Sequence, residues 1–302
     1  VCSSDLDVKD RARSGRPRTA TTQQVKKKIA SRIARNPQRS MRKMAAELKV
    51  SRESVRRVVK RDLGLSPLKL RSIHSLTNAS KEKRLKRSRA LIRRLAAHGL
   101  DSVVFTDEKI FTVEQAFNRQ NDRILAAGVA EASENVRNVR RTQKPASVMV
   151  WAGVSARGKT QLVFVPEGVK INAQNYEEHI LEPVVKHLSQ TMFEGGNFLF
   201  QQDGAPAHTA NRTQNWLRAN VPDFLSKEEW PPSSPDLNPM DFCVWSVLEK
   251  NACGKPHQTV EALKRSLQRE WAKLSMDVVR AAVESTTKRL KEVVKQKGGF
   301  IE

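Results

Sequence analysis

Three aspartates and their neighbours carry the chemistry that this chain's residues can perform. Asp107 closes the run Val103-Val104-Phe105-Thr106-Asp107, Asp203 follows Phe198-Leu199-Phe200-Gln201-Gln202, and Asp241 ends Ser234-Pro235-Asp236-Leu237-Asn238-Pro239-Met240-Asp241. The first two runs are short and apolar and read as buried strands ending in a carboxylate. The third aspartate falls in the first turn of a helix, with Asn238 as cap and Pro239 at the first helical position. Carboxylates brought to one point by strand ends and a helix start are hard oxygen ligands. They suit two divalent cations that clamp the attacking and leaving oxygens of a phosphodiester. The implied chemistry is nucleic-acid hydrolysis or strand transfer. Taken singly, each aspartate has another use: Asp107 and Asp203 as acceptors for turn amides, Asp241 as a favourable charge at a helix N-terminus. Asp236 competes with Asp241 as third ligand, but it precedes the helix and suits a loop-shaping role better; Glu108 and Glu249 are weaker rivals. His208, five residues after Asp203, either approaches the scissile phosphate or acts as a structural hydrogen-bonder.

The elements needed to position these residues follow from the patterns after residue 100. Strands are expected over 103–107, 110–113, 147–154 and 160–165, then a helix over about 173–190, a strand over 197–202 and a helix over 207–219. A Pro-rich loop leads to a helix from 239 and further helices near 258–273 and 276–295. Antiparallel strands followed by strand–helix alternation imply a mixed sheet flanked by helices. An α/β catalytic domain of RNase H-like (retroviral integrase-like) fold over residues 101–302 fits that order, with Asp107 on the central strand and Asp203 on its neighbour. Trp151, Trp216, Trp230, Trp245 and Trp271 read as core residues.

The charge is uneven. Residues 1–100 hold 29 Lys+Arg against 7 Asp+Glu, whereas the remainder holds 26 against 25. Cations at that density neutralise phosphates and release counterions. No apolar run approaches the roughly 20 residues of a membrane-spanning helix. Cys2, Cys243 and Cys253 lack the paired spacing of a disulfide framework or zinc site, which points to a reducing compartment. Within the basic third, Thr21 and Gln24 form a capping box opening a helix with Val25, Ile29 and Ile33 inward, stopped at Asn36-Pro37. A second helix carries Met41, Met44, Ala45 and Leu48. After a tight Lys49-Val50-Ser51 turn, a third buries Val55, Val58 and Val59. This is an all-α helix-turn-helix over residues 21–63, whose last helix enters the DNA major groove. Ser51, Arg52, Glu53, Arg56, Arg57 and Lys60 are its contact candidates. Arg16 and Arg18, in an extended Gly-Arg-Pro-Arg stretch within residues 13–20, either reach an A·T-rich minor groove or form a plain basic linker. Residues 64–100 read as a linker and a basic helix with Leu85, Leu91, Ile92 and Leu95 as its apolar positions.

Longer strings carry a resemblance. Phe105-Thr106-Asp107-Glu108, Asn118-Arg119-Gln120-Asn121-Asp122-Arg123, Val148-Met149-Val150-Trp151-Ala152-Gly153, Gln202-Asp203-Gly204-Ala205-Pro206-Ala207-His208 and Trp230-Pro231-Pro232-Ser233-Ser234-Pro235-Asp236-Leu237-Asn238-Pro239-Met240-Asp241 resemble transposases of the mariner superfamily. With the helix-turn-helix and Gly15-Arg16-Pro17-Arg18, the likeness runs from about residue 13 onward. The 37 residues between Asp203 and Asp241 resemble the maT branch, whose third catalytic residue is also Asp. The resemblance implies Asp107, Asp203 and Asp241 as the catalytic triad, holding two Mg²⁺ ions that Mn²⁺ can replace, with His208 auxiliary. It also implies a nuclear enzyme that acts as a homodimer on double-stranded DNA. Such an enzyme cuts at terminal inverted repeats and joins the freed 3′ ends to target DNA, with no covalent protein intermediate. By the same likeness, the loop Val165–Asn172 reaches to a partner subunit. The family usually has two helix-turn-helix units, of which the second is recognisable here. Val1-Cys2-Ser3-Ser4-Asp5-Leu6 has no initiator Met and looks like a translated sequencing adapter, so residues 1–12 are expected to be an artefact or a disordered start of an N-terminally truncated copy. The alternative is a host-recruited or decayed DNA-binding protein that has lost catalysis.

Overall fold

In a computed structural model of the chain, residues 20–67, 75–116, 141–194 and 196–301 are described. Arg16, Arg18 and the Asn118–Arg123 string lie outside them. The chain divides into two compact units, Val1–Ser72 and Ile73–Glu302.

The first unit is three short helices, each opened by a hydroxyl cap. The cap of α1 (Gln23–Arg35) is Thr22 rather than Thr21: its Oγ1 accepts the Val25 N–H at 3.3 Å. Ser40 caps α2 (Met41–Leu48) and Ser51 caps α3 (Arg52–Arg57), whose backbone runs on through a wider turn at Val58–Asp62. Lys49 turns the chain between α2 and α3 in a left-handed conformation, φ 52°. Ile29, Met44, Ala45, Val55, Val58 and Val59 close a small core. Arg52, Arg56, Arg57 and Lys60 stay exposed, and Glu53 pairs with Arg56 at 3.2 Å and Arg57 at 3.9 Å.

The second unit is built on a five-stranded sheet of order β3-β2-β1-β4-β5. β1 (Val103–Thr112) pairs antiparallel with β2 (Ser147–Val154), and β2 with the short β3 (Val163–Phe164). β4 (Leu199–Gln201) runs parallel to β1, and β5 (Asp223–Phe224) parallel to β4. This mixed order is RNase H-like. Three details depart from the sequence reading. β1 is one strand where two were expected, because its register with β2 passes unbroken through the polar Asp107-Glu108-Lys109. The expected strand over 160–165 shrinks to two residues, and β5 was not foreseen.

Alternation along β1 divides the core. Val103, Phe105 and Phe111 face one cluster, which also holds Leu91 and Leu95 of α4 (Asn78–His98). Residues of three later helices complete that cluster, and Val104 faces a second cluster with Trp151, Tyr176 and Phe200. The basic helix expected after the linker is present as α4, but its buried stripe is Arg84, Ser88, Leu91 and Leu95 rather than the apolar positions alone, and the helix belongs to this unit.

The helix expected over 173–190 is broken into α5 (Ala173–Tyr176), a wide turn, a tight turn and α6 (Leu188–Thr191). Pro183, in the middle of that span, lacks the N–H a continuous helix needs. The next helix is likewise two, α7 (Pro206–Thr209) and α8 (Asn211–Asn220), split at the extended Ala210. After the Pro-rich loop, a wide turn at Met240–Val244 leads into α9 (Trp245–Ala252), followed by α10 (Val260–Lys273) and α11 (Met276–Lys295). Among the described residues, no helix is long and apolar enough to cross a membrane.

Candidate active site

Register brings the first two aspartates level. Phe105 of β1 stands opposite Gln201 of its parallel neighbour β4, and Asp107 and Asp203 each lie two residues further on. Adjacent strands are ~4.8 Å apart, so the two carboxylates leave the same edge of the sheet. Thr106 and Gln201 tie the strands just below: Thr106 Oγ1 donates to the Gln201 carbonyl at 2.7 Å, and the Thr106 N–H donates to Gln201 Oε1 at 3.2 Å.

Asn238 brings in the third. Its Oδ1 accepts the Met240 N–H at 3.1 Å, capping the turn that carries Asp241, and its Nδ2 donates to the Thr106 carbonyl at 3.0 Å. The start of that turn is thereby pinned to β1 beside Asp107. Four residues after Asp241, Trp245 points the same way and donates from Nε1 to Asp107 Oδ2 at 2.7 Å.

The electrostatics report the same convergence. Burial, then the Asp241 and Glu108 carboxylates, push Asp107 up to about 8. Burial and the Asp203 charge push Asp241 up to about 7, with Lys109 opposing. Burial would raise Asp203 too, but the His208 ring and the Ala205 N–H (2.9 Å) hold it below its ordinary value. One acid is therefore held ionised while two resist ionisation.

Glu108, by the parity of β1, faces away from Asp107. It meets His208, which is fully enclosed: Nδ1 lies 2.6 Å from Asp203 Oδ1 and Nε2 3.3 Å from Glu108 Oε1. Burial disfavours charge on His208, yet Glu108 and Asp203 outweigh it and push the imidazole to about 10. The ring of Tyr176 packs on it at 4.4 Å. Gln202 and Gln214 both donate to the His208 carbonyl, at 3.1 and 2.9 Å, fixing α7 behind the site.

Three carboxylates form an all-oxygen donor set suited to Mg²⁺ or Mn²⁺. Asp107 Oδ2 and Asp203 Oδ1 are taken by Trp245, His208 and Ala205. Asp107 Oδ1, Asp203 Oδ2 and the Asp241 carboxylate accept no hydrogen bond from the described residues. Among the described residues no three His, Cys, Asp or Glu side chains stand as a ready ligand cluster. Asp107, Asp203 and Asp241 are the residues that would hold such a cation, and their mutual repulsion is what it would relieve. The Asp203 side chain is 46% exposed, which marks the open side of the site.

Of the residues singled out in the sequence, Asp107, Asp203, Asp241 and His208 come together at one sheet edge. Asp236 does not join them; it is buried against Arg84. Ser51, Arg52, Arg56, Arg57 and Lys60 lie in the first unit, where the Ser51 hydroxyl is engaged as the α3 cap. Sequence reasoning missed Trp245 as a partner of Asp107, although its spacing from Asp241 was a readable signal. It also missed the paired role of Glu108 and His208, which depends on strand parity.

Residues 102–264 match the DDE superfamily endonuclease family. The chain is similar to the Tc3 transposase of Caenorhabditis elegans, at 28% identity over 275 residues, covering 89% of this chain and 78% of that protein. It is 32% identical to the Tcb1 transposase of Caenorhabditis briggsae over 152 residues, half of this chain and 53% of that protein. The human histone-lysine N-methyltransferase SETMAR aligns at 25% identity over 306 residues, all of this chain and 42% of that protein. Among solved structures, the Mos1 transposase paired-end complex with left transposon end shares the fold with a TM-score of 0.76 at 19% identity, covering 99% of this chain and 84% of that one. The Mos1 strand transfer complex gives 0.73 at 19% identity, with 99% and 84% covered.

Proposed function

The chain belongs to the DDE superfamily endonuclease family, and from that premise we propose that it is a cut-and-paste DNA transposase of the mariner kind. It cuts at terminal inverted repeats and joins the freed 3′ ends to target DNA. The observation that carries this reading is the convergence of Asp107, Asp203 and Asp241, two of them buried and close enough to other carboxylates to resist ionisation. The Tc3 and Tcb1 relatives and the Mos1 paired-end and strand-transfer complexes support it.

In this reading the three aspartates hold two divalent cations, Mg²⁺ with Mn²⁺ as substitute. Bound there, the metal would lower the pKa of the attacking water or 3′-hydroxyl and neutralise charge on the phosphodiester. Asp203, kept ionised by His208 and the Ala205 amide, is the ligand already prepared. Asp107 and Asp241, kept neutral by burial and neighbouring charge, would have to be ionised to hold the cations. Trp245 keeps one Asp107 oxygen in place and leaves the other for coordination. Arg52, Arg56, Arg57 and Lys60, with Arg16 and Arg18 ahead of them, grip the duplex by charge and groove contact. Ser51 sets the N-terminus of the reading helix. The enzyme acts in the nucleus as a homodimer on paired DNA ends.

Asp203→Asn tests the assignment. Cleavage of an end-containing duplex should be lost while gel-shift binding persists, and undiminished cutting would refute the metal role. If the unaltered chain binds the duplex but does not cut it in Mg²⁺ or Mn²⁺, the protein is a DNA binder without the reaction.

A further inference from the structure

We infer that Arg84, on the basic helix α4, is a positioning residue for Asp241. It locks the Ser233–Asn238 loop to the segment Gly298–Ile301, and through that loop it fixes where the Asp241 turn begins. The inference rests on the reading of Asp241 as a metal ligand.

Arg84 and Asp236 are 0% and 2% exposed. Their pairing is two-pronged: Nη1 to Oδ1 at 3.1 Å and Nη2 to Oδ2 at 2.8 Å. The guanidinium also donates to the Ser233 carbonyl at 3.0 Å and to the Ser234 hydroxyl. Its remaining donors reach the tail, the Gly298 carbonyl at 3.1 Å and the Gly299 carbonyl at 3.3 Å. Asp236 answers by accepting the Ile301 N–H at 3.1 Å. Every acceptor of Arg84 thus belongs to the loop or the tail.

The loop passes this placement on. Two residues after Asp236, Asn238 caps the Asp241 turn and bonds the Thr106 carbonyl next to Asp107. From α11, Arg289 donates to the Asp236 carbonyl at 3.0 Å and stacks over Phe242 at 3.8 Å, beside Asp241. The lock therefore ends one residue from the carboxylate on one side and at its helix cap on the other.

Two features argue that this is more than a staple. A buried ion pair is weak evidence for stability, because apolar replacements of similar volume are often neutral. What a planar fork on a carboxylate provides is a fixed direction. In addition, Gly298 sits at φ 84°, and a Cβ there would lie 2.0 Å from the Lys81 carbonyl oxygen. Only glycine lets the tail approach α4 closely enough to meet Arg84.

The test uses the full chain carrying Arg84→Met, Gly298→Ala or Asp241→Asn, held well below its melting temperature. Mn²⁺ half-saturation is read by electron paramagnetic resonance, and duplex cleavage is followed as a function of metal concentration. Loss of residues that orient metal ligands weakens binding ~10–100-fold. Arg84→Met and Gly298→Ala should both shift Mn²⁺ half-saturation upward by at least tenfold. Cleavage should return toward the unaltered rate at high metal, and duplex binding should stay unchanged. Unshifted Mn²⁺ binding in both variants overturns the inference, even if their melting temperatures fall. Should Arg84→Met fail to fold, Gly298→Ala decides alone. If Asp241→Asn weakens Mn²⁺ while the other two do not, only the lock fails. If Asp241→Asn leaves Mn²⁺ binding intact, the active-site reading fails and the lock with it.

Discussion

Asp107→Asn should make the metal-free protein more stable at neutral pH while removing its response to divalent cations. Asp107 is pushed from 3.8 up to about 8 by burial and by the Asp241 and Glu108 charges. A raised carboxylate pKa means that the folded state favours the neutral acid. The penalty is absent below about pH 4, grows as pH rises above the unfolded value, and levels off near pH 8. At pH 7 the ceiling is ~4 kcal/mol at 1.36 kcal/mol per unit. The carboxyl group is partly exposed and titrates in the field of Asp241, so ~1–3 kcal/mol is the realistic gain. Asn keeps an acceptor for the Trp245 N–H, so the substitution removes charge without orphaning a donor. For a unit of this size that is a rise of roughly 2–10 °C. All five tryptophans lie in the second unit, so intrinsic fluorescence follows its unfolding selectively. In chelator, the variant should melt above the unaltered chain at pH 8 and match it at pH 4. Excess Mn²⁺ should then stabilise the unaltered chain, by ~2.7 kcal/mol at a hundredfold excess over the dissociation constant, and leave the variant flat. A variant less stable than the parent at pH 8 in chelator would refute the reasoning, because burial and the neighbouring carboxylates would then not be holding Asp107 neutral.

Three further outcomes are expected. His208→Gln removes the cation that holds Asp203 ionised, so the acidic limb of the cleavage profile should move to higher pH and the rate fall ~10–100-fold; an unmoved limb contradicts the clamp. Arg57→Ala should weaken duplex binding and lower the salt slope by ~0.9 if one phosphate contact is lost, whereas Glu53→Gln, which frees Arg56 and Arg57, should strengthen binding. Ile29→Ala, at the centre of the small first core, should cost ~2–5 kcal/mol. It should abolish duplex binding while the tryptophan-reported melt of the second unit stays put.

The parts of this protein written in local pattern were legible. Capped helices with apolar stripes gave the helix-turn-helix, and apolar runs located β1, β2 and β4. What escaped was non-local. β1 looked like two strands because Asp107, Glu108 and Lys109 interrupt its apolar pattern, and only pairing with β2 carries it through. α4 was legible as a basic helix but not as part of the core, because Arg84 occupies a buried position that Asp236 and other acceptors far along the chain make tolerable. Glu108 looked like a rival ligand until strand parity turned it toward His208. Breaks in the helices after 173 and 206 follow Pro183 and the extended Ala210, and only the first has a sequence signal.

The most direct test of the account is anomalous diffraction from crystals of the full chain on an end-containing duplex in Mn²⁺. It predicts two manganese peaks held by the carboxylates of Asp107, Asp203 and Asp241 beside the scissile phosphate. Peaks that leave any one of the three uncoordinated, or that fall elsewhere on the protein, contradict it.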